Sequence, residues 1–193
     1  MVSTVVEICN IALARIGDAR IADINADDEK ARLCNLFYDQ TRDEVLREHA
    51  WSFAQGRSLL ASLSGDNLTG YDYRYQLPLD CLYVRKLIDA EGESYGDLTN
   101  DYQIEGRELH TDVNPCAIRY TKKVTDPGKF DSQFVEAVSL KLASKLALKL
   151  SGKQQIEGSM IQQYMIVLQN AKSIDGEERE ASHIPEKYWS EYA

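Results

Sequence analysis

What this sequence lacks narrows what it can be. Its four cysteines, Cys9, Cys34, Cys81 and Cys116, lie far apart with no C-x-x-C pair among them. Three histidines, His49, His110 and His183, do not complete the close ligand spacing that a zinc site needs. No metal and no cofactor is therefore expected. A surplus of positive charge is also missing: 22 Lys and Arg stand against 31 Asp and Glu, a net charge of −9. Nucleic acid and anionic membranes repel such a chain, which argues against a duplex-binding module. No apolar run approaches the length of a bilayer span, and no apolar segment follows a basic start as in a signal peptide. A soluble protein with unpaired thiols, folding in a reducing cytoplasm, is the expectation. G-x-S-x-G, H-E-x-x-H, Walker A and G-x-G-x-x-G are all absent from the sequence.

What is there suffices for a core. Hydrophobic residues make up 44% and charged residues 27% of 193, globular values for one domain or one domain with an insertion. The opening reads as a helix from Ser3 to Ile16, with Thr4 and Glu7 at capping-box spacing and Gly17 as the stop. Its polar residues Ser3, Glu7 and Asn10 form a narrow stripe among apolar neighbours, so the helix is buried on several sides. A second helix starts at Asp27 or Asp28 and runs to about His49. Cys34, Phe37, Tyr38, Thr41 and Val45 share one face, and Asp39, Arg42, Asp43 and Arg47 share a solvated or subunit-facing one.

At residue 50 the period changes. Trp51 and Phe53 alternate with small residues, and the strictly alternating Tyr71, Tyr73 and Tyr75 read as a strand. Cys81 to Ile88, a hairpin about Gly106 and Ala117 to Val124 complete a β-rich stretch. Helical periodicity returns with Asp131 as N-cap of a helix to Leu150, broken at Ser151-Gly152. A partner helix carries Ile156, Met160, Tyr164, Val167, Leu168, Ala171 and Ile174 on one side, making an αα-hairpin.

The fold expected is α+β and mainly helical: residues 1–50 with 126–175 form a bundle, 51–125 a β-rich insertion and 176–193 an extended C-terminal arm. Tyr188, Trp189 and Tyr192 crowd that arm, which is too short to bury them against itself. They need a surface elsewhere, on this chain or another, and are the candidate docking residues.

Other candidates carry duller readings. Lys141, Lys145 and Lys149 recur every fourth residue, a solvated ridge or a docking strip for an acidic neighbour. Each step of four drifts by about 40° around a helix, so the row spirals off one face. Cys34 and His49 cannot form a nucleophile pair, because fifteen residues of helix place them roughly 22 Å apart. Trp51 and Phe53 read as structural anchors fastening the β-rich part to the bundle. No pair among the many carboxylates stands out as an acid–base couple.

The string from Arg42 to Ala54 is the most distinctive. Arg42-Asp43, Leu46-Arg47, His49 and Trp51-Ser52-Phe53-Ala54 closely resemble the R-D-x-x-L-R-x-H-P-W-x-F-A signature of the head-to-tail adaptor (tail tubular protein A-like) family of short-tailed bacteriophages. The resemblance continues, in order, through Ile8 to Gly17, through Leu77-Pro78-Leu79-Asp80-Cys81-Leu82, through Phe130-Asp131, Phe134 and Glu136-Ala137, and into an aromatic end with Trp189. Ala50 stands where many members have Pro, and Ser190-Glu191 follows Trp189 where an Ala-Arg pair is common. The resemblance implies a virion structural protein at the head–tail junction, made in the host cytoplasm, with no substrate. Its implied partners are the portal protein, the tail nozzle protein and further copies of itself, in a dodecameric ring in the virion or as a monomer when free. Genomic DNA would pass without specific binding, and no membrane is involved. Two alternatives stay open: a tail-associated cell-wall hydrolase using paired carboxylates, and a non-viral bacterial scaffold protein.

Overall fold

The computed structural model describes residues 4–65, 67–88 and 101–181, with the side chains of the last helix placed as far as residue 173. The fold is mixed α+β, with helix outweighing strand and every sheet antiparallel. The chain divides into two compact units, one drawn from the chain up to Thr41 and from Phe130 onward, the other Arg42–Lys129.

In the first unit, α1 (Val5–Arg15) opens on the capping box. The Glu7 N–H donates to Thr4 Oγ1 at 3.2 Å, and the Thr4 N–H to Glu7 Oε2 at 2.8 Å. Ile8, Cys9, Ala12 and Leu13 are buried. Asn10 does more than sit in a polar stripe: its amide donates to the Ile21 carbonyl at 2.9 Å and accepts from the Ile21 N–H at 2.8 Å. It mimics a backbone partner and so fixes the loop that follows α1. The long helix α2 (Glu29–Glu48) starts under Asp28, whose Oδ1 accepts the Ala31 N–H at 2.8 Å. Its Cys34, Tyr38 and Thr41 are buried, as their common face requires. The Cys9 and Cys34 thiols, both free and buried, act on each other, which pushes Cys9 up and Cys34 down.

The centre of this unit is α3 (Ser132–Ser151), capped by Asp131 through the Phe134 N–H at 2.7 Å. Leucines, valine and alanines bury most of its circumference, and it packs against both α1 and α4. Small alanines on several sides let neighbouring helices approach an all-round apolar rod. Gly152 ends it in the left-handed region at φ 67, where a side chain would be strained. Then α4 (Gln154–Ala181) buries Met160, Tyr164, Leu168 and Ala171 at helical spacing. It runs through Gly176 to Ala181, so the arm expected from Gly176 is helical over its first residues. One interior glycine costs a helix only about 1 kcal/mol, and the Glu177–Glu180 run beyond it favours helix. The remainder of that arm, residues 182–193, lies outside the described residues.

Among the described residues the second unit holds two sheets. One has β1 (Gln55–Leu59), β7 (Ala117–Lys122) and β4 (Cys81–Ile88) side by side. The other runs β2 (Ala61–Ser62), β3 (Tyr73–Gln76), β6 (Glu108–Thr111), β5 (Gln103–Glu105). Arg57 faces Arg119 in the first register, and Tyr75 faces Leu109 in the second. Tyr75 and Leu109 of one sheet join Val84, Leu87 and Ile118 of the other in one apolar cluster. The buried Tyr75 hydroxyl donates to the Val113 carbonyl at 3.0 Å, which satisfies it inside that cluster. At Gly56 on β1 a Cβ would stand 2.8 Å from the Tyr120 ring, so any larger residue makes that ring shift. The Cys81–Ile88 strand and the hairpin about Gly106 are present as expected. Residues 51–54 are not extended: Ser52–Ala54 form a 3-10 turn, and β1 begins only at Gln55.

Candidate functional site

A helix leaves its last carbonyls without intrahelical donors. At the end of α2 those acceptors are met from β4. The Arg85 guanidinium donates through Nη2 to the carbonyls of Leu46 at 3.2 Å, Arg47 at 2.9 Å and His49 at 2.7 Å. Its Nε donates to Thr121 Oγ1 at 2.8 Å, and its plane lies 4.6 Å from the Tyr83 ring centroid. A cation placed there also suits the negative end of the helix dipole. Arg47 reciprocates: its Nη1 donates to the Leu82 carbonyl at 2.6 Å, and its guanidinium sits 5.6 Å from the same Tyr83 ring.

Trp51, 3% exposed, folds back so that its indole N–H donates to the Val45 carbonyl at 2.9 Å. The His49 ring meets it edge-on, centroids 4.9 Å apart and planes at 88°. That return of the indole is why the chain turns at 51–54 instead of extending. Phe53 is half-buried, 6.5 Å from the indole, so the two expected anchors do stand together. Arg42 overturns the solvated face expected for it. It is only 3% exposed, and its Nε and Nη2 donate to Asp43 Oδ1 at 2.9 and 2.7 Å. Lys123 Nζ completes the group at 3.0 Å from Asp43 Oδ2. A guanidinium can be buried when a carboxylate stays with it. Spacing on a helix reveals which residues share a face, not which charges bring their partner along.

Beside this knot a cleft of about 500 Å³ opens, lined among others by Arg47, Cys81, Tyr83, Tyr102, Ile104 and Arg107. Burial pushes the Cys81 thiol up, partly offset by the positive charges of Arg107 and Arg47. Arg107 donates to the Pro78 carbonyl, and the Tyr102 hydroxyl to the Val84 carbonyl at 3.4 Å. On the next strand, burial and the negative Asp80, 3.2 Å from its hydroxyl, push Tyr120 up to about 12. Burial alone pushes Cys116 up to about 12.

The other expected residues are dispersed. Lys141 is half-buried with its ammonium 5.2 Å from the Tyr164 ring centroid, Lys145 is half-buried and Lys149 is exposed. Lys153 lies beyond Gly152, after α3 has ended. His49 packs on Trp51 and Cys34 on Cys9, so they form no pair. Tyr188, Trp189 and Tyr192 lie outside the described residues. Sequence reasoning missed Arg85. Its signal is an arginine, followed by Lys86, between the apolar Leu82-Tyr83-Val84 and Leu87-Ile88 of one strand. Among the described residues no group of His, Cys, Asp and Glu could hold a metal ion, and no helix is long and apolar enough to cross a membrane. Comparison of this chain with models of protein families and with curated proteins found no match.

Proposed function

We propose that this protein is a virion structural component, a head-to-tail adaptor that docks beneath the portal ring, links it to the tail nozzle and extends the channel by which DNA leaves. On this reading the helices form a bundle, the β-rich part is an insertion in it, and the chain beyond α4 is an arm. The observation that carries it is the collinear resemblance of separated segments, together with what the most distinctive of them does. Arg42, Arg47, His49 and Trp51 are taken up in pinning the end of α2, a structural task that suits a signature of an assembly protein. Exposed apolar residues Ile161 and Met165, one turn apart on α4, and Ile166 beside them are surfaces of the kind that copies bury against each other. A ring needs two different faces on each copy, joined head to tail. The net charge of −9 suits a conduit past which DNA must slide without sticking.

Tyr188, Trp189 and Tyr192 supply the arm's anchors, each worth about 1.5–3 kcal/mol if fully buried in a partner. Electron microscopy of the protein mixed with its cognate portal tests the reading, with a ring of added density beneath the portal expected. A chain ending at Ala181 should keep its helical circular dichroism and lose that density. Portal particles that stay bare with the intact chain would sink the proposal.

A further inference from the structure

The cleft in the second unit is not accounted for by the fold that surrounds it. Its walls are β4 and β5, which among the described residues are outer strands of their two sheets. Two exposed arginines, Arg47 and Arg107, line it, and no Asp or Glu is among its described lining residues. Each guanidinium gives one hydrogen bond to a backbone carbonyl, of Leu82 and Pro78 respectively, and keeps further donors directed elsewhere. Exposed Tyr83 and Ile104 with half-buried Tyr102 supply apolar and aromatic wall. A cationic, ring-lined cleft on a chain of net charge −9 suits an acidic peptide with aromatic side chains. The β4 edge favours recognition by side chains over strand addition. Its Leu82 and Val84 carbonyls already accept from Arg47 and Tyr102.

The chain itself contains such a peptide. Past Ala181 come twelve more residues, in which Glu186 and Glu191 bracket Lys187, Tyr188 and Trp189, with Tyr192 next, so the carboxylates outnumber the one lysine. We propose that the cleft receives the C-terminal segment of a second copy of this chain, its carboxylates on Arg47 and Arg107 and its rings against Tyr83, Tyr102 and Ile104. This inference rests on the adaptor reading, which makes like copies neighbours; a tail and a receiving cleft are the two unlike surfaces a head-to-tail contact requires.

The test uses the full chain and a fluorescein-labelled peptide of residues 182–193, followed by anisotropy. Saturable binding is expected, weakened about tenfold by Glu186→Gln with Glu191→Gln in the peptide and by Arg107→Gln in the protein, with Arg107→Lys restoring part of it. Bound peptide should slow alkylation of Cys81 by iodoacetamide. Without peptide, that rate should fall as the protein concentration rises. No saturable binding, or binding indifferent to the peptide's carboxylates, overturns the proposal. Cys81 protection independent of protein concentration overturns it too, by placing the segment on its own copy. The peptide arm needs no portal. A failed peptide with normal portal attachment sinks the cleft alone, and a bound peptide with bare portals sinks the adaptor reading.

Discussion

The helical unit and the β unit satisfy their polar groups over different distances along the chain. In the helical unit most are met locally: Thr4 by Glu7, Phe134 by Asp131, Ser139 by Val135. Asn10 with Ile21, Lys30 with Asp18 and the 2.5 Å Arg15–Glu136 pair reach further. The β unit relies on side chains that find backbone 36 to 39 residues away, Arg85 on the end of α2 and Tyr75 on Val113. Apolar burial organises the first, and removing any one polar group disturbs it little. Directed polar contacts position the second, so a few side chains hold a large share of its order.

The largest break in that contrast should come from Trp51→Ala. Losing a nearly fully buried indole costs about 3–5 kcal/mol, and hydrogen exchange should reveal lost protection across residues 42–129 while α3 amides stay slow. Equal loss in both units would show that they unfold as one. Next, Arg85→Gln strands the carbonyls at the end of α2 and should cost about 2–3 kcal/mol by urea denaturation, with Arg85→Lys recovering part. In the helical unit the matching polar deletion, Asp131→Ala, should cost only about 1 kcal/mol, since it removes one cap from a helix that burial holds in place.

Alkali sharpens the comparison without any substitution. Cys116 and Tyr120 ordinarily titrate near 9.0 and 10.0, and in the fold both are pushed up to about 12. The fold thus prefers their protonated forms, and the unfolded chain releases these protons first. Their contribution is whole below pH 9 and is lost as pH rises from there through 12. Tyr120→Phe should flatten part of the fall in melting temperature over that window.

Where a feature depends on neighbours in sequence, it was legible. Thr4 with Glu7, Asp131 before an apolar period, and Gly106 between two short strands each name their structure within a few residues. Features that depend on where a side chain turns were not. Arg42 reads as surface until its guanidinium goes inside with the Asp43 carboxylate, and Trp51 with Phe53 reads as a strand until the indole folds back on Val45. Gly176 looks like a stop because the helix-favouring charges after it weigh less to the eye than they do in energy. Of the site, the string from Arg42 to Ala54 stood out, while the cleft joins residues from Arg47 to Arg107 that no short window contains.

An open strand edge invites other chains to stack on it, and that hazard grows with crowding. Along β4 the invitation is withdrawn chemically, since the Leu82 and Val84 oxygens are already engaged by a guanidinium and a phenol. This border is then a poor template for strand addition by another chain. Substituting Arg47 or Tyr102 would reopen it, and turbidity on standing would be the first symptom.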